Sequence, residues 1–98
     1  MLWRMVRAKL AARAGDTGTA ERLVEEALVL AREADSPALE AGVRMAAADV
    51  QLVLGRPDMA EPPLREALRL SIEKGDVVSA RRAETRLAAI AAGGSPQP

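Results

Sequence analysis

Neither cysteine nor histidine occurs in this chain of 98 residues. Without a thiol there is no disulfide framework and no thiolate nucleophile. Without either residue the commonest zinc ligands are missing, together with the Ser-His and Cys-His nucleophilic systems. Asp, Glu, Lys, Arg, Ser and Thr are left to carry any chemistry, so no metal and no cofactor is expected. Trp3 is the sole aromatic residue, and asparagine is absent. An excess of charge of either sign is lacking too: 14 basic side chains face 14 acidic ones. A net charge of zero removes the long-range attraction that non-specific binding to nucleic acid or an anionic membrane depends on, so neither is an expected partner. The uncharged apolar runs are far too short to cross a bilayer. Arg7 and Lys9 interrupt any signal-peptide hydrophobic region after Met1, which makes a cytoplasmic location the expectation.

What the chain does have is an internal echo. Gly15, Ala20, Glu21, Glu26, Ala27, Leu28 and Leu30 recur 40 residues later as Gly55, Ala60, Glu61, Glu66, Ala67, Leu68 and Leu70. A period of this size marks units that cannot bury their apolar faces alone and must stack. Helical spacing fills each unit. Trp3, Val6, Leu10 and Ala14 form one stripe, and Ala20, Leu23, Val24, Ala27, Leu28 and Ala31 form another. Gly15-Asp16-Thr17-Gly18 parts them, with a glycine able to take positive φ and a Thr or Asp to cap the next helix. Asp35-Ser36-Pro37 supplies a capping side chain followed by proline at a first helical position. The third helix carries Leu39, Val43, Ala46, Val50 and Leu54 and stops at Gly55. A fourth follows Arg56-Pro57-Asp58, and a fifth, with Ala83, Leu87 and Ile90, follows Lys74-Gly75-Asp76.

The spacing therefore predicts an all-α fold of about five helices, an α-solenoid of antiparallel helical hairpins. One domain spans 1–92, with hairpins 3–34 and 37–74 and a half-hairpin 76–92, and residues 93–98 are expected to be a disordered tail. Pro62-Pro63 opposes this pattern locally. A proline inside a helix removes one hydrogen bond and crowds the carbonyl four residues back, at a cost of about 3 kcal/mol. The expectation is a break, with the main helix beginning at Pro63.

Small residues where helices cross give the chain its family likeness. Ala8, Gly15, Ala20, Val24 and Ala27 in the first unit, and Ala48, Gly55, Ala60, Leu64 and Ala67 in the second, resemble the tetratricopeptide repeat. Alanine at these places lets helices approach closely while Val24 or Leu64 fills the remaining space. The unit is about 40 residues long against the family's usual 34. Ala11, Thr17 and Val24 stand where the family places aromatics, and Trp3 stands one place early. Long Ala/Arg-rich units of this kind are similar to the C-terminal repeats of actinobacterial nucleotide cyclases and ATPase-type signalling and transcription regulators.

Candidate chemistry is sparse. Asp16-Thr17-Gly18 matches the catalytic triplet of aspartic proteases, but that enzyme needs a β-scaffold on which two carboxylates meet. The flanks here are strong helix formers, so the triplet reads as a hairpin turn. No Gly-rich phosphate loop exists. Glu25 and Glu26 are helix neighbours about 100° apart and cannot converge on one substrate. Glu61-Arg65, Arg69-Glu73 and Glu40-Arg44 are opposite charges four apart, as on a solvated helix face. Arg82 and Arg86 have the spacing to hold a phosphate or carboxylate together.

The resemblance implies a concave groove lined by the first helix of each unit, taking an extended or helical peptide. Matched residue by residue, it assigns to that groove Met5, Lys9 and Arg13, then Met45, Asp49 and Leu52, then Arg82 and Arg86. Methionines offer adaptable apolar contact and arginines offer charge recognition of fixed geometry. The expected function is a non-catalytic protein-protein interaction module, its partner a protein or peptide, with self-association through open repeat ends as a further possibility. The alternative is a regulatory C-terminal segment of a larger signalling or transcription ATPase or nucleotide cyclase.

Overall fold

Four of the five helices begin where a side chain or a proline can serve the free N–H groups of a first turn. The computed structural model of the chain describes residues 2–92. Its helices are α1 Leu2–Arg13, α2 Thr17–Glu33, α3 Pro37–Val53, α4 Pro57–Lys74 and α5 Val77–Ala91, and the described residues contain no strand. The Asp16 carboxylate accepts the Thr19 N–H at 3.2 Å, the Ser36 hydroxyl accepts that of Leu39 at 3.2 Å, and Asp76 accepts that of Ser79 at 3.1 Å. Arg56 gives α4 no such cap, and there Pro57, which has no N–H to satisfy, occupies the first turn.

The turns end the helices in one way. Gly15, Gly55 and Gly75 take φ of 81°, 76° and 77°, and Asp35 stands at the fourth such position with φ 52°. After each, the next N–H returns to a carbonyl of the last helical turn: Asp16 to Ala11, Arg56 to Gln51 and Asp76 to Ser71 at 2.8 Å, Ser36 to Ala31 at 3.5 Å. The left-handed residue lets the chain double back and satisfy carbonyls the helix leaves open. Hairpins of antiparallel helices follow.

Pro62 and Pro63 do not break α4, which runs through both without interruption. The expected break is corrected by position. The carbonyls that lose partners belong to Asp58 and Met59, both exposed, where water can replace the missing donors. The face opposite the ring of Pro62 meanwhile buries Ala60, Leu64 and Ala67, and that burial outweighs a local helix penalty.

Each helix packs on its neighbours in sequence, and α1 also touches α3, so the hairpins stand side by side. The molecule measures 33 × 31 × 18 Å, which is two helices thick. Alanine governs the contacts. Ala8, Ala20, Ala27, Ala48 and Ala60 are fully buried, as is Leu64. One cluster joins Met5 of α1, Ala27 and Ala31 of α2, and Val43 and Ala46 of α3. A second joins Ala8, Ala12, Ala20, Leu23 and Val50, and a third places Leu64 between Ala48 and Ala60 with Leu87 and Ile90 of α5 against them.

The stripe of α1 faces away from this core. Trp3, Val6 and Leu10 are 52%, 52% and 57% exposed, and the buried side is Met5, Ala8 and Ala12 instead. The guanidinium carbons of Arg4 and Arg7 lie 5.0 and 5.3 Å from the centre of the Trp3 ring, within reach of cation-π attraction. Among the described residues no helix is long and apolar enough to cross a membrane. Residues 93–98, expected to form a tail, lie outside the described residues.

Candidate functional site

α1, α3 and α5 bound one open groove of about 470 Å³. α1 contributes Met5 and Lys9, α3 contributes Leu39, Gly42, Met45 and Asp49, and α5 contributes Ser79, Arg82 and Arg86. The helical period explains the α3 set, because positions 38, 42, 45 and 49 fall on one stripe. Gly42 carries no side chain to fill the space above it, and an added Cβ there would meet nothing within 4 Å.

Asp49 is the centre of the groove's electrostatics. Its carboxylate accepts two hydrogen bonds from Arg86, from Nε at 2.8 Å and from Nη2 at 3.3 Å. Lys9 Nζ lies 3.5 Å from the same group. Three helices are thus tied through one carboxylate, whose side chain is only 22% exposed against 32% for Arg86 and 41% for Lys9. The guanidinium fork matches the two carboxylate oxygens and fixes the orientation of both side chains. Arg82, one turn before Arg86, makes no ion pair among the described residues, so the groove keeps a surplus of positive charge. With Arg86 turned onto Asp49, the Arg82 and Arg86 pair is not a free anion clamp.

Six of the eight residues that sequence assigned to this groove therefore meet there: Met5, Lys9, Met45, Asp49, Arg82 and Arg86. Arg13 is exposed at the end of α1, outside it. Leu52 lies closer to the Gly55 turn and packs on the cluster of Ala48, Ala60 and Leu64. Leu39, Gly42 and Ser79 line the groove without having been assigned to it. The signal for Gly42 was its spacing from Met45 and Asp49.

Asp16, of the protease-like triplet, is the cap of α2. Its hydrogen bonds from Thr19 hold the carboxyl below the usual aspartate value of 3.8. Asp76 repeats this at α5, where Ser79 donates both its N–H and, at 2.7 Å, its hydroxyl. Glu26 faces Arg4 at 3.5 Å and Arg22 at 4.0 Å. Among the described residues no three acidic side chains gather in a way that could hold a metal ion.

Searches of protein-family models, curated proteins and solved structures find no match for this chain. The chemistry of the site rests on its own geometry: two methionines and a leucine for apolar contact, a glycine that keeps the floor open, and cations held at fixed positions by Asp49.

Proposed function

We propose that the chain is a non-catalytic interaction module of the tetratricopeptide type, a right-handed array of helical hairpins that receives a peptide or a protein segment between α1, α3 and α5. The observation that carries this reading is the convergence of Met5, Lys9, Met45, Asp49, Arg82 and Arg86 on one open groove. Methionine side chains adapt to varied apolar surfaces, and a surplus of positive charge favours a ligand bearing carboxylates. Burial of alanine at all six helix-crossing positions, Ala8, Ala20, Ala27, Ala48, Ala60 and Ala67, supports the repeat-like packing. A second reading, a regulatory segment of a larger signalling ATPase or cyclase, draws support from the exposed Trp3, Val6 and Leu10, which suit a covering protein surface.

The test is a pull-down from the native host with the wild-type chain beside a Lys9→Ala, Arg82→Ala, Arg86→Ala triple variant. Partners that bind the first and not the second are expected. An identical set of partners, with the variant folded by circular dichroism, would remove the groove from the interaction.

A further inference from the structure

The 40-residue echo says what kind of surface belongs on the exposed stripe of α1. Trp3, Val6 and Leu10 correspond by that offset to Val43, Ala46 and Val50 of α3. Those three are 2%, 7% and 1% exposed, buried against Ala20, Leu23, Ala27 and Ala31 of α2 and against α1. One further offset gives Ala83, Arg86 and Ile90 of α5, of which Ala83 is fully buried, Ile90 packs on the cluster of Ala48, Ala60 and Leu64, and Arg86 turns instead onto Asp49 in the groove. The stripe is thus covered along its length in the second unit and at its two ends in the third. In α1 it stays more than half exposed.

Charge narrows the occupant. α1 carries Arg4, Arg7, Lys9 and Arg13 and no acidic residue. The helix that covers the equivalent stripe of α3 is acidic on balance, with Glu21, Glu25, Glu26 and Glu33 against Arg22 and Arg32. Arg4 already shows the pairing, its Nε lying 3.5 Å from Glu26. Through its α1 or its α5 a second copy of the chain suits the stripe poorly. Its own α1 is wholly cationic, and the exposed face of its α5 pairs Val77 and Val78 with Arg81 and Arg82. Like charges brought together at an interface oppose association.

We infer that the outer face of α1, built on Trp3, Val6 and Leu10, docks an acidic amphipathic helix of a partner protein, its apolar stripe rich in alanine as in α2. Trp3 is the aromatic anchor of the contact, with Arg7 and Arg13 meeting the acidic flanks. The site is separate from the groove and does not depend on the function proposed for it.

The probe is a synthetic peptide of residues 17–33 with blocked ends, titrated into the full chain while the emission of Trp3, the sole tryptophan, is followed. A saturable blue shift is expected as the ring leaves water. Leu10→Glu should weaken binding at least tenfold, and Val6→Glu repeats the test in case that variant is misfolded by circular dichroism. The same peptide with its four glutamates changed to glutamine should bind several-fold more weakly and with less dependence on salt. The Lys9, Arg82, Arg86 triple alanine variant should keep the blue shift. No shift at about millimolar peptide, roughly the weak limit for a specific contact, overturns the inference. So does a shift that Leu10→Glu leaves intact, one that the triple variant abolishes, or sedimentation showing that a second copy already covers Trp3.

Discussion

Two leucines on neighbouring repeats offer a direct measure of where the core lies. Leu64 is fully buried between Ala48 and Ala60, with Met45, Leu52, Leu87 and Ile90 packed around it. Leu10 is 57% exposed. Leu→Ala removes three carbons at each site, so the chemistry is identical and only burial differs. At Leu64 the lost transfer free energy is about 0.8 kcal/mol per carbon, roughly 2.4 kcal/mol in all. The cavity left behind adds to this, giving about 3–4 kcal/mol. For a chain of this size each kcal/mol moves Tm by about 4–8 °C, so Leu64→Ala should melt at least ~12 °C below wild type. Leu10→Ala should cost about 0.5 kcal/mol or less. Urea and thermal unfolding followed by far-ultraviolet circular dichroism read both variants. Equal losses at the two sites would refute the packing of α4 between α3 and α5. A Leu64→Ala variant that lost less than ~1 kcal/mol would refute it as well.

Gly55 takes φ 76° at the end of α3, where a Cβ meets no neighbour but strains the backbone, so Gly55→Ala should destabilise by about 1 kcal/mol. Gly42 lies inside α3 with open space above it, and Gly42→Ala should stabilise by about 0.5–1 kcal/mol; denaturant midpoints check both, and matching signs would contradict the turn geometry. Asp16 and Asp76 have carboxyls held below their ordinary value of 3.8 by hydrogen bonds from Thr19 and Ser79. A carboxylate with a lowered folded pKa contributes stability that is complete above the unfolded pKa and is lost as pH falls through the folded one. Stability should therefore decline as pH falls below about 4, and Asp16→Asn with Asp76→Asn, which keep the caps without the titration, should flatten that decline in melts from pH 6 to 2. An unchanged acid slope would show that the two caps do not contribute to it.

The helix ends were legible because each depends on one residue's backbone chemistry. Gly15, Gly55 and Gly75 can turn left-handed at little cost, and Pro37 and Pro57 can start helices without a lost bond. Asp35 was harder to read, since aspartate adopts φ above zero only reluctantly. Its register with Gly75, 40 residues on, was the available signal. Pro62 and Pro63 misled for a different reason. Local propensity costs about 3 kcal/mol for a proline in a helix interior, but the outcome is set by tertiary burial of Ala60, Leu64 and Ala67, which no window of a few residues contains. In the groove, Met5, Lys9, Met45 and Asp49 were assigned from the resemblance to the repeat, matched residue by residue. That Asp49 would turn Arg86 inward across 37 residues of sequence depends on how α5 lies against α3, and spacing within one helix carries no such information.

The balanced charge of the whole chain conceals an uneven distribution, and partners meet faces, not sums. α1 is entirely cationic, and α5 sets Arg81, Arg82 and Arg86 against Glu84. α2 is acidic on balance, and α4 carries Asp58, Glu61, Glu66 and Glu73 against Arg65, Arg69 and Lys74. Beyond a Debye length of about 8 Å in physiological salt these signs cancel, so the chain exerts little attraction on a distant polyanion. At contact distance they do not cancel. A carboxylate entering the groove meets Arg82 and Lys9 before it meets Asp49, which Arg86 already holds. An acidic helix approaching the outer face of α1 meets Arg7 and Arg13, since Arg4 is paired with Glu26 and Lys9 with Asp49. On the function proposed, selection among partners falls to short-range fit, with Trp3 and the two groove methionines supplying apolar contact and the cations disfavouring basic helices.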